Sequence, residues 1–288
     1  MRLAILRRER VAWNAVDFSR AYHERMTFKD HFSSHASSYR EARPLYPEAL
    51  FDWLASEAPS RAFVWDAGCG NGQASVALAE RFERVFATDP SASQIANAEA
   101  KPNVSYRVEP GEQCSLPDAS ADLATVAQAL HWFDFARYFA EAARVLKPRG
   151  VLAAWSYSDC RVTPAIDVLK DRVFVDLTGP YWPPERAYVD AGYRTIPFPF
   201  GADDAFEEIP TPAFEMRADW DAHQFLAYLR SWSATQRYIK AKGDDPVATV
   251  ERELLASWGN PDEPRAVYWE FNVRCGRRKQ ARFPSHSV

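Results

Sequence analysis

The 288-residue chain lacks any apolar run that approaches the roughly 20 residues needed to span a bilayer. The short stretch "LAIL" near its start gives way at once to Arg7, Arg8, Glu9 and Arg10, so the apolar core of a secretory signal is missing as well. Cysteine is sparse. Cys69, Cys114, Cys160 and Cys275 stand far apart, with neither the paired spacing of a zinc site nor the density of a disulfide scaffold. These absences lead us to expect reduced thiols, no metal, no membrane and a cytoplasmic location. A net charge of -4 offers no global attraction for nucleic acid, and the locally basic "RCGRRKQAR" reads as a solvated tail. Internal repeats and low-complexity linkers are also missing. What is present, 47% hydrophobic and 26% charged residues, suffices for a substantial core in one large domain or two small ones.

"PEALFDWLA" carries helical spacing and "RAFVW" reads as a short buried strand. A glycine-rich turn follows, then a helix from Ala74 to Phe82 and a second apolar run, "RVFATD", that ends in an acid. "NVSYRV", "ADLATVAQAL" and "VLAAWS" supply three more strands, with the helix "YFAEAARVLKPRG" before the last of them, closed by Pro148 and Gly150. Strands alternating with helices imply a parallel sheet covered on both faces, which binds ligands beyond the carboxyl ends of its strands. Residues 157 to 220, rich in proline and aromatics, read as loops and short helices over the sheet. "DAHQFLAYLRSWSATQRYIKAK" has helical spacing, and "AVYWEFNVRC" reads as a closing strand.

The turn Gly68-Cys69-Gly70-Asn71-Gly72 separates three ligand classes by its chemistry. A triphosphate site needs lysine and then serine or threonine after the last glycine, where this chain has Gln73 and Ala74. A dinucleotide site needs G-x-G-x-x-G, and the acid Asp66 just before the turn would repel a pyrophosphate. The same acid attracts a ligand carrying an ammonium and a sulfonium, as S-adenosylmethionine does. Asp89 follows at about the interval where an acid ends the second strand of a nucleotide fold and accepts from a ribose diol.

"VWDAGCGNG", "ATDPS", "LPDASADLATVAQALHWFD" and "EAARVLKPRGVL" resemble the successive motifs of class I S-adenosylmethionine-dependent methyltransferases. "YREARPLYP", "AQALHWFD", "WPPER", "IPFPF" and "YLRSWSATQRY" are similar to the small-molecule branch that includes trans-aconitate methyltransferases. The resemblance runs from about Phe28 to about Arg278. It implies a Rossmann-like α/β fold: a mostly parallel seven-stranded sheet, helices on both faces and an antiparallel last strand. It also implies one domain over residues 26–280, with substrate-covering segments at about 157–262, after an N-terminal extension (1–25) and before a tail (281–288). By the same resemblance Asp66, Gly68, Cys69, Gly70 and Gly72 line the methionine portion of the cofactor, Asp89 holds the ribose, and Pro90 and Ser91 flank the adenosine. Gly111 and Glu112, in "EPGEQ", match the stretch beside the adenine, although Pro110 replaces a polar residue there. Gln128 lies next to the sulfur, and Tyr39 meets the methionine end.

Methyl transfer is an in-line displacement at an activated carbon, so alignment and exclusion of water are the protein's main tasks. A carboxylate acceptor is already ionised at neutral pH, whereas a hydroxyl or ammonium needs a base. His131 can serve as that base, orient an anionic acceptor, or simply pack with Trp132 at the strand end. Arg40 and Arg43 carry guanidinium forks suited to a carboxylate. Arg186, with Trp155, Trp182, Trp232 and Tyr238, is the candidate acceptor pocket. The expected activity is methylation of a small carboxylate or other polar metabolite, yielding S-adenosylhomocysteine. Two alternatives stay open: a nucleic-acid methyltransferase, and a non-catalytic cofactor-binding accessory protein.

Overall fold

The computed structural model describes residues 43–280. The expectations for Tyr39, Arg40, the extension 1–25 and the tail 281–288 lie outside these residues.

Helix α1 (Glu48–Glu57) leads into β1 (Phe63–Ala67), α2 (Gln73–Ala79), β2 (Arg84–Thr88), α3 (Ala92–Ala96), β3 (Val104–Arg107) and β4 (Ala121–Ala127). A 3-10 turn (Leu130–Trp132), α4 (Phe135–Val145) and the long β5 (Leu146–Arg161) follow. Then come α5 (Pro164–Asp171), α6 (Arg186–Asp190), β6 (Phe206–Glu208), β7 (Met216–Trp220), α7 (Ala222–Arg230), α8 (Ser233–Lys242), α9 (Ala248–Trp258) and β8 (Arg265–Arg278). The sheet order is β3-β2-β1-β4-β5-β8-β6, with β7 also paired to β8. The first five strands are mutually parallel, and β8 runs antiparallel to β5, as in Ala153 opposite Cys275. The order reverses between β1 and β4, the crevice where doubly wound sheets bind ligands.

Alternation along the central strands divides the core between the two faces. Val64 and Leu123 pack with Leu50, Phe51 and Leu78 from α1 and α2. Their neighbours Trp65 and Ala124 pack with Tyr138 and Ala142 of α4. A third cluster, built on Phe225, Trp258, Val267 and Trp269, fills the space behind the far halves of β5 and β8. Among the described residues no helix is long and apolar enough to cross a membrane.

The structure revises several expectations. The sheet has eight strands, because the proline-rich segment read as loops and short helices also contributes β6 and β7 to the ends of the 14-residue β8. Helix α4 stops at Val145, and β5 starts at Leu146 rather than after Gly150. Pro148 falls where the β4–β5 register shifts between Ala121 and Leu123, the kind of irregularity that tolerates a residue with no N–H. The described part of the basic run is no solvated tail: Arg274 pairs with Glu208, Arg277 with Glu57, and Arg278 donates to the Leu146 carbonyl.

Candidate functional site

Gly68, Gly70 and Gly72 all lie at positive φ, 66°, 56° and 86°, which only glycine adopts freely. They differ in the space that a side chain would meet. A Cβ at Gly68 would stand 2.8 Å from Ala129 Cβ, and one at Gly72 would collide with the Tyr106 hydroxyl. At Gly70 the nearest atom is Gln94 Oε1 at 3.9 Å, so this side of the turn is open. Backbone bonds hold the turn: the Cys69 N–H donates to Thr88 O (2.9 Å) and the Gly72 N–H to Cys69 O (2.9 Å). Asp89, at the end of β2, accepts from the Gly70 N–H through Oδ2 (2.9 Å) and from the Ser91 N–H through Oδ1 (2.8 Å). Its carboxylate therefore joins the turn to the start of α3, where Ser91 Oγ caps the helix by accepting from the Gln94 N–H. Pro90 lies between the two. The Cys69 thiol is buried and held well above its ordinary pKa by that burial, so it stays protonated.

Asp66 requires a correction. It is fully buried, with Oδ2 accepting from Ser75 Oγ (2.6 Å) and Oδ1 from Thr125 Oγ1 (2.8 Å). Period-2 alternation puts it on the same face as Val64, toward α2, so it braces the turn from beneath and offers no carboxylate oxygen to a ligand. Burial raises its pKa to about 6, against the opposing hydrogen bonds from the two hydroxyls.

The "EPGEQ" loop wraps Phe133. A Cβ at Gly111 would stand 2.6 Å from that ring, and Glu112 Oε1 accepts from the Asp134 N–H (2.9 Å) at the start of α4. Glu112 thus anchors a helix end with one oxygen. Gln128 also has a structural task. It sits at φ 54°, donates Nε2–H to Tyr157 O (2.9 Å) and accepts from the Tyr157 N–H (2.8 Å), extending the β4–β5 ladder with its side chain.

Past the end of β4 and beside the carboxyl-terminal part of β5 lies a pocket that brings together Arg43, Gln128, His131, Trp132, Arg186 and Trp232. The Arg43 guanidinium donates to Tyr157 Oη (3.1 Å) and Ser231 O (3.0 Å). Arg186 donates to Asp190 (2.7 Å) and lies 4.7 Å from the centre of the Trp182 ring. His131 Nδ1 lies 2.9 Å from Tyr193 Oη. Burial first, and the Arg186 cation second, push its pKa down to about 3. At neutral pH the ring is uncharged and a weak base, which argues against the general-base role.

Two expected pocket residues are elsewhere. Trp155 is fully buried between Tyr46 and Phe51, with ring centres 5.6 and 6.1 Å away. Tyr238 packs edge-on against Tyr181, outside the pocket. The sequence reading missed Tyr157, Asp159, Phe174 and Tyr228, which line it. Asp159 and Tyr157 were legible in principle, as the residues that continue β5 past "VLAAWS". Phe174 and Tyr228 carried no signal that separates them from core aromatics. Among the described residues no group of three or more His, Cys, Asp or Glu side chains is arranged to hold a metal.

Residues 65–154 match the family described as a methyltransferase domain. A Dictyostelium discoideum protein described as a candidate methyltransferase is 34% identical over 239 residues, 82% of this chain and 89% of that protein. The chain belongs to the class I S-adenosylmethionine-dependent methyltransferases. A solved structure from Anaeromyxobacter dehalogenans, described as a candidate type II methyltransferase, is 46% identical, with a TM-score of 0.75 over 82% of this chain and 97% of that one. A Mycobacterium tuberculosis protein described as an uncharacterized methyltransferase is 38% identical over 133 residues, 46% of this methyltransferase and 54% of that protein. The turn fits the family's methyl donor. Asn71 Nδ2 and Gln94 Oε1 are buried without a hydrogen-bond partner beside the open flank of Gly70, and an unpaired buried polar atom costs about 1–3 kcal/mol until a ligand satisfies it.

Proposed function

We propose that this methyltransferase acts on a small polar molecule bearing a carboxylate, methylated on oxygen, as in the branch of the family that includes trans-aconitate methyltransferases. The observation that carries this reading is the pairing of two guanidinium groups, Arg43 and Arg186, with a neutral imidazole in one pocket past the end of β4 and beside the carboxyl-terminal part of β5. S-Adenosylmethionine, when bound, supplies a methyl group already activated by a sulfonium. The chain's residues then have three tasks. Gly70, Asn71, Asp89 and Gln94 hold the donor, with the Asp89 carboxylate, which joins the turn to the start of α3, placed to accept from a ribose hydroxyl. Arg43 and Arg186 bind and orient an anionic acceptor, and no base is needed because a carboxylate arrives ionised. Phe174, Trp182 and Trp232 exclude water. Most of the acceptor-side lining comes from residues 157–262, which supports a covering role for that segment. Against the nucleic-acid alternative, Arg274, Arg277 and Arg278 of the basic run are engaged along β8.

The test is S-adenosylhomocysteine formation across a panel of small carboxylates, phenols and amines. Carboxylates are expected to yield product, and Arg186→Met is expected to lower kcat/KM for the best of them about 10- to 100-fold, the worth of a charge-assisted hydrogen bond. Product from amines or phenols alone, or an unchanged kcat/KM in Arg186→Met, would contradict the reading.

A further inference from the structure

Tyr193 occupies an uncommon position. It is fully buried, and it stands at φ 58° directly after Gly192 at φ 57°, two successive left-handed residues just past α6. For a bulky aromatic that conformation costs on the order of 1–2 kcal/mol, and such strain persists where the surroundings make use of it. Its consequence here is the placement of the phenol. Tyr193 Oη lies 2.9 Å from His131 Nδ1, its one hydrogen-bond partner among the described residues. A fully buried phenol proton needs an acceptor, and among the described residues the ring nitrogen is the one within reach, so Oη donates and Nδ1 accepts. Burial also keeps that proton in place, by raising the phenol above its ordinary pKa.

The other ring nitrogen is in a different situation. His131 lines the acceptor pocket, and with Nδ1 taken up by Tyr193 the remaining ring nitrogen is Nε2. It is therefore the nitrogen that meets the pocket's contents. We propose that Tyr193 is a positioning residue that donates to His131 Nδ1 and fixes the Nε2–H tautomer, so that the pocket presents a neutral hydrogen-bond donor to a carboxylate. This rests on the acceptor-site reading above and adds to it. Arg43 and Arg186 supply charge, while His131 supplies a directional contact whose protonation does not change across the physiological range. No covalent step passes through the imidazole, and its proton stays on Nε2 throughout.

Long-range 1H–15N correlation spectra of the full chain test this without any acceptor, with the His131 signals assigned by their loss in His131→Asn. The proton is expected on Nε2 in the wild type. Tyr193→Phe keeps the ring and removes the donor, and is expected to shift the tautomer ratio toward Nδ1–H about three- to tenfold, the worth of one hydrogen bond. A proton on Nδ1 in the wild type, or an unchanged ratio in Tyr193→Phe, would overturn the assignment. If Tyr193→Phe fails to fold, the wild-type spectrum alone decides the tautomer. Acetate, as the carboxylate probe, is expected to move the Nε2 signal of the wild type. A signal that saturating acetate leaves unmoved would overturn the donor role, even where the product assay upholds a carboxylate acceptor.

Discussion

Three glycines in one turn share a backbone conformation and differ in what lies beside them. Gly72 faces the Tyr106 hydroxyl, whereas Gly70 faces open space. Alanine at either position costs on the order of 1–2 kcal/mol for the left-handed backbone, and Gly72→Ala adds a collision. Urea unfolding is expected to show Gly72→Ala as clearly the less stable variant, and equal midpoints would contradict the geometry. Two buried titratable groups give a second residue-scale prediction. Asp66 is raised from an ordinary value near 3.8 to about 6. The folded state thus holds that proton more tightly than the unfolded chain does, and this group's contribution to stability falls as pH rises from about 4 to about 6. Roughly 2 pH units at 1.36 kcal/mol each put the loss on the order of 3 kcal/mol. His131 acts in the opposite sense. Its pKa is pushed from near 6.5 to about 3, so its contribution is complete above about 6.5 and falls as pH drops toward 3. The two offset each other between pH 4 and 6. Relative to the wild type, Asp66→Asn is expected to gain stability as pH rises through that window and His131→Asn to lose it, read from urea midpoints at each pH.

At the scale of elements, helix ends and strand lengths decide which side chains reach the pocket. Helix α7 opens with a capping box in which Asp221 accepts from the Gln224 N–H (2.7 Å) and Gln224 Oε1 accepts from the Asp221 N–H (3.0 Å). This helix carries Tyr228, and the turn after it carries Trp232. Asp221→Ala is expected to cost about 1 kcal/mol, measured by equilibrium unfolding, and an unchanged midpoint would contradict the cap. Legibility in the sequence follows the same scale. The β-α-β units around the turn were readable because strand, turn and helix signals are local, and β1, α2, β2 and β4 overlap the stretches those signals mark, with α2 ending at Ala79 rather than Phe82 and β1 running on to Ala67. β6 and β7 were not, because strands of three and five residues exist through pairing with β8, some 50 residues or more further along. The basic run at β8 misled for a related reason: charge suggests solvent until partners such as Glu57 and Glu208 are brought beside it.

For the whole molecule, the sequence conveyed which chemistry is present better than which way it faces. Asp66 and Asp89 are both acids at strand ends. The fold turns one inward onto Ser75 and Thr125 and leaves the other at the turn. Trp155 and Trp232 are both tryptophans near the expected site, but a strand covered on both faces buries the first among Tyr46 and Phe51 and a helix junction gives the second to the pocket. Selectivity for a cationic sulfur ligand therefore cannot come from a direct contact with Asp66. On the proposed reading it rests instead on the open flank of Gly70, the unpaired atoms of Asn71 and Gln94, and the carboxylate of Asp89. Calorimetric titration of S-adenosylmethionine into the wild type and Gly70→Ala tests this claim most directly. The account predicts saturable one-to-one binding in the wild type and at least a tenfold loss in a Gly70→Ala variant that remains folded. Equal affinity in the two proteins, or no binding to the wild type, would contradict it.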